Sequence, residues 1–134
     1  MISQRHDLVL LVEDEDSVRR ALTRMLVCAD LKVVGAPNGE MALQEARRLG
    51  DSLRLLITDI RMPVMNGFEL ARAFRSIHPA IPILFITGFD TQATAAKVAQ
   101  LGAELLLKPF SPDHFVDTAT RLIAQAPVPD RSLA

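Results

Sequence analysis

Leu55-Leu56-Ile57-Thr58-Asp59-Ile60-Arg61-Met62-Pro63-Val64-Met65-Asn66-Gly67 is the stretch that decides the fold. An apolar strand pattern runs into Asp59, a loop with Pro63 and Gly67 follows, and a helical pattern begins only beyond it. A carboxylate at the carboxyl end of a buried strand, in front of such a loop, lies at a binding crevice rather than in a core.

Three other strand ends carry matching chemistry. Residues 8–12 form an apolar run that delivers Glu13 and Asp14; residues 83–86 deliver Thr87 and then Gly88; residues 105–107 deliver Lys108 and then Pro109. As neighbouring parallel strands, these runs would bring acids, a hydroxyl and an ammonium into one cleft.

Strand and helix patterns alternate along the chain. After the first strand, Val18, Ala21, Leu22, Met25 and Leu26 follow helical spacing, with Asp16 or Ser17 available as the cap. Residues 31–36 read as a second strand, and Pro37-Asn38-Gly39 opens a helix that Gly50 stops. The third strand, 53–58, leads through the Asp59 loop to a helix over about 68–77, closed by His78-Pro79. The fourth, 83–87, precedes a helix over about 91–101 that ends at Gly102. The fifth, 104–107, leads by way of Ser111-Pro112 to a helix through Phe115, Val116, Ala119, Leu122 and Ile123. Five βα units with continuously apolar strands predict an α/β domain, a parallel sheet with helices on both faces. Residues 1–126 read as this one domain, and 127–134 as a tail or the start of a linker.

A chain of 134 residues, 49% hydrophobic, is ample for one packed core. A net charge of −1 offers no basic face, so nucleic-acid binding by this chain alone is not expected. Cys28 is the only cysteine, which excludes an internal disulfide, and its neighbours Met25-Leu26-Val27 and Ala29 predict a small buried hydrophobe. No stretch has the length of a membrane span, and the polar start Ser3-Gln4-Arg5-His6-Asp7 is unlike a signal peptide, so a cytoplasmic setting is expected.

Val12-Glu13-Asp14, Thr58-Asp59-Ile60-Arg61-Met62-Pro63, Asn66-Gly67, Ile86-Thr87-Gly88 and Leu107-Lys108-Pro109-Phe110 together resemble the receiver domain of two-component response regulators. The motifs stand in family order and spacing over roughly residues 7–126. The resemblance implies a single doubly wound (βα)5 flavodoxin-like domain with sheet order 2-1-3-4-5. It further implies that Asp59 takes a phosphoryl group from a sensor histidine kinase or histidine phosphotransfer protein, an acceptor module rather than an enzyme acting on a substrate. Glu13, Asp14 and Asp59 would repel one another, by about 4 kcal/mol per pair at ~4 Å and an effective dielectric of ~20. Mg²⁺ would remove that cost, with the backbone carbonyl of Arg61 joining the acids. Lys108 would pair with a phosphoryl oxygen, the Thr87 hydroxyl would bond another, and Pro109 would be the family's cis proline. Glu15 and Asp16 are expected to be helix-start charges rather than ligands. Arg61 and Phe89, each two residues past a site residue, would flank the path of attacking water and slow hydrolysis of the phosphoryl group.

One position departs from the family pattern. Three residues before the lysine, at the switch position where an aromatic or histidine is usual, stands Leu105, and the chain has no Tyr or Trp. With Leu105 there, the resemblance does not imply aromatic switching, while it does imply phosphorylation. The face of helix 4, strand 5 and helix 5 is the expected output surface, for an unknown partner or a homodimer.

Three rival readings fit parts of the sequence. A degenerate receiver would bind partners without phosphorylation. Asp14-Glu15-Asp16-Ser17-Val18 also resembles the first motif of haloacid-dehalogenase-type phosphatases, but that family needs an acidic pair beyond the lysine, where only the helical Asp113 and Asp117 stand. A flavodoxin-type cofactor site needs a phosphate loop after strand one, where Glu13 to Asp16 would repel phosphate.

Overall fold

The computed structural model describes residues 8–88 and 91–127, so the expectation placed on Phe89 lies outside the described residues, as does that on 128–134. Strands β1 (Leu8–Val12), β2 (Lys32–Ala36), β3 (Leu53–Asp59), β4 (Ile83–Thr87) and β5 (Glu104–Leu107) alternate with helices α1 (Asp16–Val27), α2 (Gly39–Leu49), α3 (Gly67–Ile77), α4 (Gln92–Gln100) and α5 (Pro112–Gln125). All strand pairs are parallel, and the order is β2-β1-β3-β4-β5, the one the resemblance implied. A short 3₁₀ turn, Gly50–Ser52, sits between α2 and β3 and was not anticipated.

Alternate residues of the central strands serve opposite layers. Leu10, Val12, Leu56 and Phe85 face a core with Ala42, Leu70 and Phe74, while Val9, Leu11, Ile57 and Ile86 face a core with Leu26, Phe115 and Ile123. Helices α2, α3 and α4 therefore cover one side of the sheet and α1 and α5 the other. Burial is continuous only in the middle of the sheet. The edge strand β2 leaves Lys32 and Gly35 exposed, and β5 leaves Leu107 exposed, because each lacks a neighbour on one side.

Local chemistry explains the helix ends. Asn38, Thr91 and Ser111 cap α2, α4 and α5 by accepting from the third backbone N–H beyond them. Asn66 and Glu69 form a reciprocal capping box on α3. For α1 the expectation fails: neither Asp16 nor Ser17 is the cap. Glu15 holds that position without a side-chain cap bond, and Asp16 is already helical with its carboxylate 2.5 Å from Arg19. At the end of α4, Gly102 takes φ 63°, so that its N–H reaches Ala99 and that of Ala103 reaches Val98.

Two further residues fall where their neighbours did not suggest. Cys28 is exposed, not buried: the helix turns Leu22 and Leu26 inward, and two residues past Leu26 the chain has rotated to the solvent side. Arg54, within the apolar run of β3, is 5% exposed and donates to the carbonyls of Pro127 at 2.7 Å and Ala126 at 3.2 Å. It ties the end of α5 to the start of β3.

Candidate functional site

Strand register assembles the cleft. Val12 pairs with Thr58, which sets Glu13 level with Asp59; Asp59 pairs with Ile86, which sets Thr87 one step beyond; Thr87 pairs with Leu107, which sets Lys108 one step further. Four strand ends thus carry their polar groups along one carboxyl edge.

Glu13 is 2% exposed, and its carboxylate accepts from the Glu15 N–H at 3.1 Å and the Lys108 ammonium at 3.4 Å. The same ammonium donates to Asp59 at 3.3 Å, and the Arg61 N–H approaches the other Asp59 oxygen at 3.4 Å. Asp14 is exposed beside them, and one carboxylate oxygen from each of Glu13, Asp14 and Asp59 lies within 4.8 Å of the others. Thr87 is buried at its strand end, where its carbonyl accepts from the Lys108 N–H at 2.8 Å. The Lys108–Pro109 peptide bond is cis.

The electrostatics follow from burial and crowding. Burial foremost, and then the charge of Asp59, push the Glu13 carboxyl up from 4.5 to about 7, against the Glu15 N–H and Lys108, which favour its ionised form. Burial alone would lower the Lys108 pKa, but Asp59 and Glu13 outweigh it and hold the ammonium above its ordinary value.

Asp59 is seated by a close approach of backbones. The Gly67 N–H donates to the Ile60 carbonyl at 2.8 Å, and a Cβ on Gly67 would stand 2.3 Å from the Asp59 carbonyl oxygen. Only glycine fits there. Leu105 pairs with Phe85 in the sheet, is half-buried, and packs on the layer beneath α3 and α4. Sequence reasoning missed Arg19, which donates to the Glu13 carbonyl at 2.7 Å and to Asp16. The spacing of Asp16 and Arg19 was the available signal, since residues three apart on a helix are neighbours. Asp113 and Asp117, which the phosphatase reading would need, are exposed on α5.

A five-stranded parallel sheet in this order, with acids and a lysine gathered on its carboxyl edge, defines a flavodoxin-like α/β domain of the CheY kind. The chain belongs to the response regulator receiver domain family of two-component systems, which it matches over residues 9–120. It is 36% identical over 119 residues to the response regulator receiver protein CpdR of Brucella abortus, covering 88% of this chain and 98% of CpdR. Against the sensor kinase CckA of the same organism it is 35% identical over 116 residues, 86% of this chain but only 12% of the kinase. The chemotaxis protein CheY4 of Vibrio cholerae superposes with a TM-score of 0.81 at 32% identity, covering 87% of this chain and 98% of CheY4. Among the described residues no helix is long and apolar enough to cross a membrane.

Proposed function

We propose that this receiver domain accepts a phosphoryl group on Asp59 from the phosphohistidine of a sensor kinase or phosphotransfer protein, and that the modification alters its affinity for an output partner. The observation that carries this reading is the position of Asp59: its carboxylate shares a cleft with Glu13 and Asp14 and touches the Lys108 ammonium at 3.3 Å.

The donor set fits Mg²⁺, because clustered carboxylate oxygens are hard ligands, and the repulsion from Asp59 that adds to burial in raising the Glu13 pKa is a cost a cation would relieve. Glu13, Asp14, Asp59 and the Arg61 carbonyl would hold it, and when bound it would neutralise charge on the transferring group. An Asp59 carboxylate oxygen attacks phosphorus as the bond to the donor imidazole nitrogen breaks, and the imidazole keeps that electron pair. Lys108 pairs with one phosphoryl oxygen and the Thr87 hydroxyl donates to another. Hydrolysis returns Asp59 as a free carboxylate, so the domain acts as a self-catalysing signalling module in the cytoplasm rather than as an enzyme on an external substrate. The expected output surface comprises α4, β5 and α5, where Ala95, Ala96, Ala99 and Leu107 are exposed.

Intact-protein mass spectrometry after treatment with acetyl phosphate tests the reading. Wild type gains one phosphoryl group only with Mg²⁺, and Asp59→Asn gains none. Equal labelling of Asp59→Asn, or labelling undiminished by a chelator, overturns it.

A further inference from the structure

We infer that Arg19 is a positioning residue for the acidic pair, fixing the main chain from which Glu13 and Asp14 project. The inference rests on the metal site proposed above and adds a residue outside its ligand set.

The chain leaves β1 through an unbroken acidic run, Glu13-Asp14-Glu15-Asp16, which on charge alone would spread apart. Arg19 closes it from behind. One guanidinium nitrogen donates to the Glu13 carbonyl at 2.7 Å and the other to the Asp16 carboxylate at 2.5 Å, so a single fork joins the two ends of the run. The Glu13 N–H is meanwhile bonded to the Ala36 carbonyl on β2 at 3.1 Å. The Glu13 peptide units are thus held on both sides, and the carboxylate is left to face Lys108 and Asp59. The side chain of Arg19 is 20% exposed, and β2 makes room for it with Gly35, where a Cβ would stand 3.3 Å from Arg19 Cδ. A planar fork reaching two acceptors is a task that lysine, a point charge, cannot reproduce.

Position and charge predict opposite signs, which makes the inference testable. As a mere positive charge near a cation site, Arg19 would weaken Mg²⁺ binding, and its removal would tighten it. As a positioning group its loss weakens binding, by about tenfold or more, the scale on which outer-shell partners of metal ligands act.

Calorimetric titration of Mg²⁺ into wild type, Arg19→Met and Arg19→Lys decides between them. Both variants are expected to bind at least about tenfold more weakly; unchanged or tighter binding by Arg19→Met overturns the inference. Gly35→Ala, which crowds the Arg19 stem but keeps every polar group, serves if Arg19→Met fails to fold; it is expected to weaken binding by a smaller factor, and unchanged affinity counts against the inference.

Failure of wild type to bind Mg²⁺ would sink the site reading instead. The positioning role is then read without metal, by amide hydrogen exchange at Glu13 and Glu15. Both are expected to exchange about tenfold faster in Arg19→Met, with the centre of β3 unchanged, and equal exchange overturns the inference.

Discussion

The two halves of the cleft are built to different standards. On the side of β1 and β3, every residue of β3 before Asp59 is buried, and α3 sinks Phe68, Leu70, Ala71 and Phe74 into the core beneath a reciprocal capping box. On the side of β4 and β5, α4 buries only Val98, β5 buries only Leu106, and the helix carries exposed Ala93, Ala95, Ala96 and Ala99. Among the described residues, the Lys97 ammonium lies 5.3 Å from the centre of the Phe68 ring, Arg75 on α3 donates to the Leu101 carbonyl at 3.2 Å, and Leu101 packs against the core at the end of α4. Local stability scales with buried apolar area. The half that holds the acids is therefore the more firmly packed, while on the other half Thr87 ends the wholly buried β4 and Lys108 follows β5 beside a helix with little buried apolar area. On the function proposed above, the nucleophile would belong to the firmly packed half and the readout to the half whose helix is less buried.

The largest effect should come from removing a ring on the firmly packed side. Phe74→Ala is expected to cost about 3–5 kcal/mol in denaturant unfolding, whereas Val98→Ala should cost about 1.5 kcal/mol. Equal losses would mean that α4 is as firmly seated as α3.

Next is a pair of glycines. Gly67→Ala forces a methyl onto the Asp59 carbonyl and is expected to slow labelling by acetyl phosphate by about tenfold or more, since displacement of a reacting group by ~1 Å can cost that much. Gly102→Ala, open to solvent but at φ 63°, should cost about 1–2 kcal/mol of stability and leave the labelling rate within about twofold. Comparable slowing in both would erase the distinction between the halves.

A third test sharpens the electrostatic side. The folded protein favours the protonated form of Glu13, with its pKa raised from 4.5 to about 7, so that contribution to stability is present below 4.5 and lost as pH rises through about 7. In chelator, the melting temperature of wild type relative to Glu13→Gln should fall across that window. Mg²⁺ should reverse the trend, because its ligands must be deprotonated. A difference that stays flat with pH would show Glu13 to be unperturbed.

The smallest effect belongs to Leu105→Ala, expected to alter stability or partner binding but leave Asp59 labelling within about twofold. A large loss of labelling would place Leu105 in the chemistry rather than beside α4.

The sheet was legible because each strand is an apolar run ending in a polar residue, and such ends point one way in a parallel sheet. The cleft was legible for the same reason: Glu13, Asp59, Thr87 and Lys108 are all strand-end residues. Contacts formed across the fold were not. Arg54 reads as an interruption of β3 until the end of α5 arrives to accept its bonds, 72 residues later in sequence. Arg19 reads as a surface helix residue, because nothing local shows that its second acceptor is a carbonyl on the preceding strand end. Cys28 was misread from its apolar neighbours, when helical rotation decides which of them faces inward.

That exposed thiol has a practical consequence. With no Trp and no Tyr, the chain lacks the side chains that dominate near-ultraviolet absorption and emission, so metal binding and phosphorylation would go unseen by intrinsic fluorescence. Cys28 is a single chemical address on such a dark background, on the groove where α1 and α5 meet, lined also by Met25 and Pro112. One maleimide dye would label every molecule at the same place without mutagenesis, and its colour would report docking on that flank of the domain.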